Sequence, residues 1–167
     1  AKIGQEALIE EYIEGREITV GIIGYENPMV LPVVEIEYNS AKTNTFEHKM
    51  YDLEIIHCPA RLSAEEEELV KDTALKIYKA LNAKDYGRID MILGKDGVPY
   101  FLELNTYAGL TMDSSRDEDG NMKIHHGYMG YAAKAQGFTK GQFIGKILES
   151  AIERYGLEEK GTKQFIS

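Results

Sequence analysis

GRIDMILGKDGVPYFLELN, residues Gly87–Asn105, is the stretch that decides the fold. Two alternating apolar and polar runs flank Asp96-Gly97, a dipeptide that favours a two-residue type I′ turn, so the segment reads as a β-hairpin. Pairing Lys95 with Val98 across the turn sets Leu93 opposite Tyr100, Met91 opposite Leu102 and Ile89 opposite Leu104, which makes one face continuously apolar. The other face sets Ile92 against Phe101, Asp90 against Glu103 and Arg88 against Asn105. Cβ atoms directly opposite on a hairpin lie about 4.5–5.5 Å apart, and like charges there are destabilising. The Asp90 and Glu103 carboxylates therefore need compensation. Arg88 supplies part of it, and a hard divalent cation supplies it better, because magnesium takes carboxylate, amide and phosphate oxygens. Asn105, two positions beyond Glu103 and so on the same face, adds a neutral oxygen. The three side chains are expected to form a magnesium site completed by nucleotide phosphates. The alternative is a pair of carboxylates splayed into solvent with Arg88 between them. A three-residue loop in place of two would shift the register and break the pairing.

Working upstream, ALIEEYIEGREITVGIIG (7–24) reads as two strands separated by Ile13-Glu14-Gly15-Arg16. Alternation in the second puts Ile18, Val20 and Ile22 on one face and Glu17 and Thr19 on the other. A further strand is expected over Val30 to Ile36, where Pro32 marks a strand start or edge. The stretch from Tyr38 to His57 lacks periodicity and is expected to be a long loop. Ser63 and Glu66 form a capping box, predicting a helix from Ala64 with Val70, Ala74, Ile77, Tyr78 and Leu81 as its apolar stripe. Glu65 to Glu68 then sit at the positive end of that helix and Lys76 and Lys79 near the negative end, as a solvated terminus requires. Thr139 and Gln142 make a second capping box, with Phe143, Ile144, Ile147, Leu148, Ala151, Ile152 and Tyr155 inward and Gly156 at the helix end. The tail beyond Leu157 is expected to fray. The class is α+β, an antiparallel-rich mixed sheet with helices packed on one face.

Composition sets the outer limits. A chain of 167 residues suits one domain with one core, and 43% hydrophobic with 28% charged residues is ordinary for a globular protein. Nineteen Lys and Arg against 28 Asp and Glu give a net charge of -9, which argues against nucleic acid or an anionic membrane as partner. Cys58 stands alone, so no internal disulfide forms, and with neither a basic-then-apolar leader nor a long apolar run in the sequence the cytosol is the expected compartment.

Four segments in a fixed order, EEYIEGREITV (10–20), CPARL (58–62), GRIDMIL (87–93) and LELNTYAGLT (102–111), with a weaker fifth in AKAQGFTKGQF (133–143), resemble the C-terminal domain of the D-alanine–D-alanine ligases of the ATP-grasp superfamily. No one of these motifs is specific alone; the ordered set is. The resemblance implies that Glu10, Glu11, Tyr12 and Ile13 form the strand that reads adenine, chiefly through backbone groups, with the Glu10 carboxylate accepting from the amino group. It implies that Glu17 accepts from ribose hydroxyls and that Lys49 reaches toward phosphate or substrate. Without the motif, Glu10 and Glu17 would read as exposed strand charges. Asp90, Glu103 and Asn105 match the family's magnesium ligands, for which manganese can stand in, so the hairpin argument and the resemblance meet on the same residues. Arg88 matches an arginine facing the transferring phosphate and the tetrahedral intermediate. Gly109 matches a backbone amide beside the oxyanion, and Ser114 a serine for the carboxylate of the second amino acid.

Several positions depart from the pattern. Ala108 stands where the family has proline, and Glu11 where it has a hinge lysine. Residues 115–137 form a longer loop rich in Asp, Gly, Met and His. His125 and His126 lack zinc-ligand spacing and are expected to be solvated. Cys58 is expected to pack as a small apolar residue. The glycine-rich loop and phosphate lysines that such enzymes carry upstream do not precede Ala1. The expectation is therefore the magnesium-ATP half of a larger ligase, or a partner to another polypeptide, with a homodimer left open. The implied activity is D-alanine–D-alanine ligation through an acyl phosphate, in peptidoglycan precursor synthesis. The alternatives are a non-catalytic nucleotide-binding module or another ATP-dependent carboxylate-amine ligase.

Overall fold

Alternation in two nine-residue strands sets up the whole molecule. A computed structural model describes residues 9–38, 54–112, 114–116, 122–124 and 127–157, the two short strands among these by their backbone. In chain order the elements are β1 (Gly15–Ile23), β2 (Met29–Val30), β3 (Val34–Tyr38), β4 (Glu54–His57), α1 (Ala64–Ala80), β5 (Tyr86–Gly94), β6 (Pro99–Asn105), β7 (Ser114–Arg116), β8 (Met122–Ile124), α2 (Tyr128–Ala135) and α3 (Lys140–Tyr155). The main sheet runs β4-β3-β1-β5-β6 with β2 also paired to β1, and every described pairing in it is antiparallel. β7 and β8 make a separate two-stranded ribbon.

On one face Ile18, Val20, Ile22, Ile89, Met91 and Leu93 pack against Val70, Ala74 and Tyr78 of α1. The other face carries a second cluster, in which Ile23 and Val34 meet Met129, Ala132, Ala133 and Phe143 from α2 and α3. Gly21 belongs to that second face, where a Cβ would fall 2.7 Å from the Met129 sulfur. The antiparallel α+β class therefore stands, but helices cover both faces rather than one. Both capping boxes form: Ser63 and Glu66 open α1, Thr139 and Gln142 open α3, and Gly156 closes α3 in the left-handed conformation. The expected inward stripe of α3 is narrower than predicted, since Phe143 is buried while Ile144, Leu148 and Tyr155 are exposed.

Other expectations change. The single strand expected around Pro32 is two, β2 and β3, separated by Leu31-Pro32-Val33. Proline has no N–H for a ladder, yet the Leu31 N–H still donates to the Gly21 carbonyl at 2.9 Å, so the chain stays beside β1. The expected loop from Tyr38 to His57 contains a strand at its end, β4, which pairs with β3; residues 39–53 lie outside the described residues. Of the two strands expected in 7–24, β1 is the one present among the described residues, and residues 9–14 run into it without strand pairing. The loop expected over 115–137 holds α2. That helix begins against the backbone of Thr111: a Cβ on Gly127 or Gly130 would come within 2.2 or 1.8 Å of the Thr111 carbonyl oxygen, so only glycine fits at either position. The tail from residue 158 lies outside the described residues.

The hairpin holds the main correction. Its loop has three residues, not two: the Gly94 N–H donates to the Val98 carbonyl, the Gly97 N–H donates to the Gly94 carbonyl, and Gly97 has φ +78°. That is a turn closed by a left-handed glycine. Near the turn it pairs Leu93 with Pro99, Ile92 with Tyr100 and Met91 with Phe101, one position off the predicted register. A bulge between Asp90 and Met91 then absorbs Leu102, and beyond it Asp90 faces Glu103, Ile89 faces Leu104 and Arg88 faces Asn105 as predicted. Leu102, expected in the apolar face, is instead 50% exposed.

Candidate metal and nucleotide site

Register places the site before any side chain is considered. β1 and β5 pair Thr19 with Asp90, Gly21 with Arg88 and Glu17 with Ile92, and β6 adds Glu103 and Asn105 on the far side of β5. All these residues share the face opposite α1. Asp90 is the hub: Arg88 donates to its two oxygens from Nε and Nη2 at 2.8 and 2.7 Å, and the Thr19 hydroxyl and the Asn105 amide donate as well. Asn105 Nδ2 also donates to Glu103 Oε1 at 3.0 Å, so it bridges the two acids. The facing carboxylates do not splay apart.

Arg88 and Asp90 side chains are each 15% exposed. Burial works against the Arg88 charge, but the hydrogen bonds and charge of Asp90 outweigh it and raise its pKa above the ordinary arginine value. The Tyr128 ring, at the start of α2, lies with its centroid 5.0 Å from the guanidinium, and its hydroxyl donates to Glu54 Oε2 at 2.6 Å. Burial first, and the Glu54 hydrogen bond second, hold that phenol protonated. Burial, then the neighbouring Glu17 carboxylate, does the same for Tyr38.

A divalent cation fits this chemistry. Glu17, Glu54, Asp90 and Glu103 outnumber Arg88 on the face, and Asp90, Glu103 and Asn105 offer hard oxygens while leaving coordination positions for phosphate and water. Among the described residues no three His, Cys, Asp or Glu side chains gather, so the amide is needed to complete the set. Asn105 points its nitrogen at both acids; to serve as a ligand it would turn the amide over and present Oδ1.

Beside this cluster lies a groove of about 590 Å³. Glu10, Glu11, Tyr12 and Ile13 form one wall, and Glu17, Tyr38, Ile92 and the bulged Leu102 are among the residues of the rest. The bulge that restores the Asp90–Glu103 pairing thus also delivers an apolar side chain to the groove. The structure brings Arg88, Asp90, Glu103 and Asn105 into one network and puts Glu10 to Ile13 and Glu17 in the adjoining groove. Gly109 lies exposed past the Thr106-Tyr107 turn, beyond β6, and Ser114 opens β7, paired with Ile124. Lys49, His125 and His126 lie outside the described residues. Cys58 packs with the second core, and burial pushes its thiol up to about 11, in keeping with an inert role.

Thr19, Glu54 and Tyr128 belong to the site and were not singled out from sequence. Thr19 carried a usable signal, since alternation already placed it on the Glu17 face. Glu54 and Tyr128 sit in stretches without periodicity.

Comparison with known proteins bears on the family and the fold. The family model described as "D-ala D-ala ligase C-terminus" matches residues 1–118. A D-alanine--D-alanine ligase of Nitrosospira multiformis is 34% identical over 141 residues, which is 84% of this chain and 41% of that protein. Among solved structures, the D-alanine--D-alanine ligase of Bacillus anthracis complexed with ATP superposes with a TM-score of 0.65 at 28% identity, covering 91% of this chain and 42% of the other. VanG D-Ala:D-Ser ligase from Enterococcus faecalis gives 0.64 at 29% identity, covering 83% and 37%. The chain spans less than half the length of these relatives.

Proposed function

The chain belongs to the D-Ala-D-Ala ligase C-terminal family, and from that premise we propose that it is the magnesium-ATP half of a ligase that phosphorylates the carboxylate of D-alanine and joins it to a second amino acid. The observation that carries this is the network of Arg88, Asp90, Asn105 and Glu103 on one sheet face, beside a groove with apolar and acidic walls. Magnesium, when bound, would neutralise phosphate charge at Asp90, Glu103 and Asn105.

The protein's own groups divide the remaining work. Ile92 and Leu102 offer apolar contact for the base, while residues Glu10 to Ile13 supply backbone groups and a carboxylate at its edge. Glu17, an acceptor when ionised, takes ribose hydroxyls. The substrate carboxylate attacks the γ-phosphorus and ADP leaves, giving an acyl phosphate. The second amine attacks the acyl carbon, the tetrahedral oxyanion collapses with departure of inorganic phosphate, and the nitrogen gives up a proton to the departing phosphate or to water, leaving the amide. Arg88, whose guanidinium is always charged and is held by Asp90 through two nitrogens, stabilises the charge that develops in both steps; the Gly109 amide, Ser114 and Lys49 complete the substrate side.

Two measurements test this. Calorimetry with magnesium-ATP on the chain is expected to show binding that falls in Glu103→Gln by at least the roughly 10–100-fold that losing even an outer partner of a metal costs. Unchanged affinity at limiting magnesium would contradict the site. A phosphate-release assay, on a polypeptide that adds the upstream half of the relatives, is expected to respond to D-alanine. Binding without turnover across an amino-acid panel would favour a non-catalytic module, and turnover only with other amino acids would favour a different carboxylate-amine ligase.

A further inference from the structure

If Arg88 faces the transferring phosphate, its aim matters as much as its charge. Asp90 clamps one edge of the guanidinium through Nε and Nη2, which leaves Nη1 without a hydrogen-bond partner among the described residues. An edge clamp of two parallel bonds still lets the planar group hinge about the clamped edge. It also weakens whenever Asp90 shares its oxygens with a cation. Against that hinge stands the Tyr128 ring, its centroid 5.0 Å from the guanidinium carbon, whose negative face attracts the cation and so opposes a swing away from it.

Tyr128 is itself held at both ends. Its hydroxyl donates to Glu54 Oε2 at 2.6 Å. Its backbone opens α2 between Gly127 and Gly130, both pressed onto the Thr111 carbonyl so closely that no Cβ fits. β4, α2 and β5 thus meet at one cation.

We infer that Tyr128, oriented by Glu54, is the positioning residue for Arg88, and that it keeps Nη1 aimed at the phosphate side when the cation draws on Asp90. This rests on the phosphate-facing reading of Arg88 given above. Tyr128 makes no chemical step; it acts through the guanidinium.

The test is a ¹H–¹⁵N spectrum of arginine Nε–H groups in the chain, with the Arg88 resonance assigned by its loss in Arg88→Lys. In the native chain that resonance is expected to be displaced by the Tyr128 ring current and slow to exchange with solvent, and to shift on adding magnesium-ATP. Tyr128→Leu should abolish the displacement and speed exchange, while magnesium-ATP still binds through Asp90, Glu103 and Asn105. Tyr128→Phe should keep the displacement, and Glu54→Gln should keep it in part; these two carry the test if the leucine variant fails to fold. In a ligation-competent polypeptide, Tyr128→Leu should lower kcat and leave KM for ATP in place, with phenylalanine restoring most of the rate. An Arg88 resonance with the same position and exchange in folded Tyr128→Leu would overturn the inference. An Arg88 resonance that depends on Tyr128 but ignores magnesium-ATP would instead overturn the phosphate-facing reading.

Discussion

On one face of the sheet, Ile18, Val20, Ile22, Ile89, Met91 and Leu93 meet Val70, Ala74 and Tyr78 of α1, and none is more than 2% exposed. On the other face the same two strands turn out Glu17, Thr19, Arg88 and Asp90, with Arg88 and Asp90 still only 15% exposed. One face excludes water with hydrocarbon; the other keeps charge near the interior by tying each group to its neighbours. The difference shows what each face tolerates. The apolar face depends on volume, because a cavity there removes packing contacts that nothing replaces. The polar face depends on the completeness of its network, because a buried charge left without a partner costs more than the pair contributes.

Substitutions on the two faces should separate these dependences. The largest stability effect is expected from Ile89→Ala on the apolar face, about 2–5 kcal/mol in denaturant unfolding, with magnesium-ATP affinity of the folded protein retained. Thr19→Val lies on the adjacent strand but faces the other way, and nearly conserves volume. It should cost about 1.5–3 kcal/mol by removing a hydrogen bond to the Asp90 carboxylate, and unlike Ile89→Ala it should also weaken magnesium-ATP binding in calorimetry. If both variants changed binding alike, the contrast between the faces would fail. Ser63→Ala, which removes the cap of α1 far from the charges, should cost about 1 kcal/mol and leave binding untouched.

The smallest effect expected is in acid. Glu35, at the α1-side edge of the sheet, is 3% exposed and takes hydrogen bonds from the Arg61 Nε, Nη2 and backbone N–H. Burial works to raise its pKa, but the Arg61 bonds and charge prevail and hold it below the ordinary 4.5. The fold therefore favours the ionised form. The stability this contributes is present above the unfolded carboxylate value and is lost as pH falls through the lower folded one. Glu35→Gln should flatten the loss of stability below pH about 4.5, followed by denaturant unfolding at stepped pH; an unchanged slope would remove Glu35 from the account.

Much of the apolar face could be read from sequence because its information is local. Alternation assigns Ile18, Val20 and Ile22 to one side, and a capping box starts a helix within three residues. The polar face needed information from distant segments. β4 is four residues long and follows a stretch without periodicity, so Glu54 could not be placed. α2 is marked by Gly127 and Gly130 packing on Thr111, a contact no local pattern announces. The apolar residues Leu8, Ile9, Tyr12 and Ile13 predict a strand ahead of β1, but glutamates stand among them, and residues 10–14 line the groove without strand pairing. The hairpin is the most instructive case. A loop one residue longer than predicted and a bulge of one residue at Leu102 cancel, so Asp90 meets Glu103 as the two-residue loop would also have it.

The most direct test is a crystal structure of the chain grown with magnesium and a non-hydrolysable ATP analogue. An ion is expected about 2.0–2.1 Å from oxygens of Asp90, Glu103 and Asn105, with the Asn105 amide turned over and the base beside Leu102. An ion bound elsewhere, with Asn105 Nδ2 still bridging the two carboxylates, would contradict it.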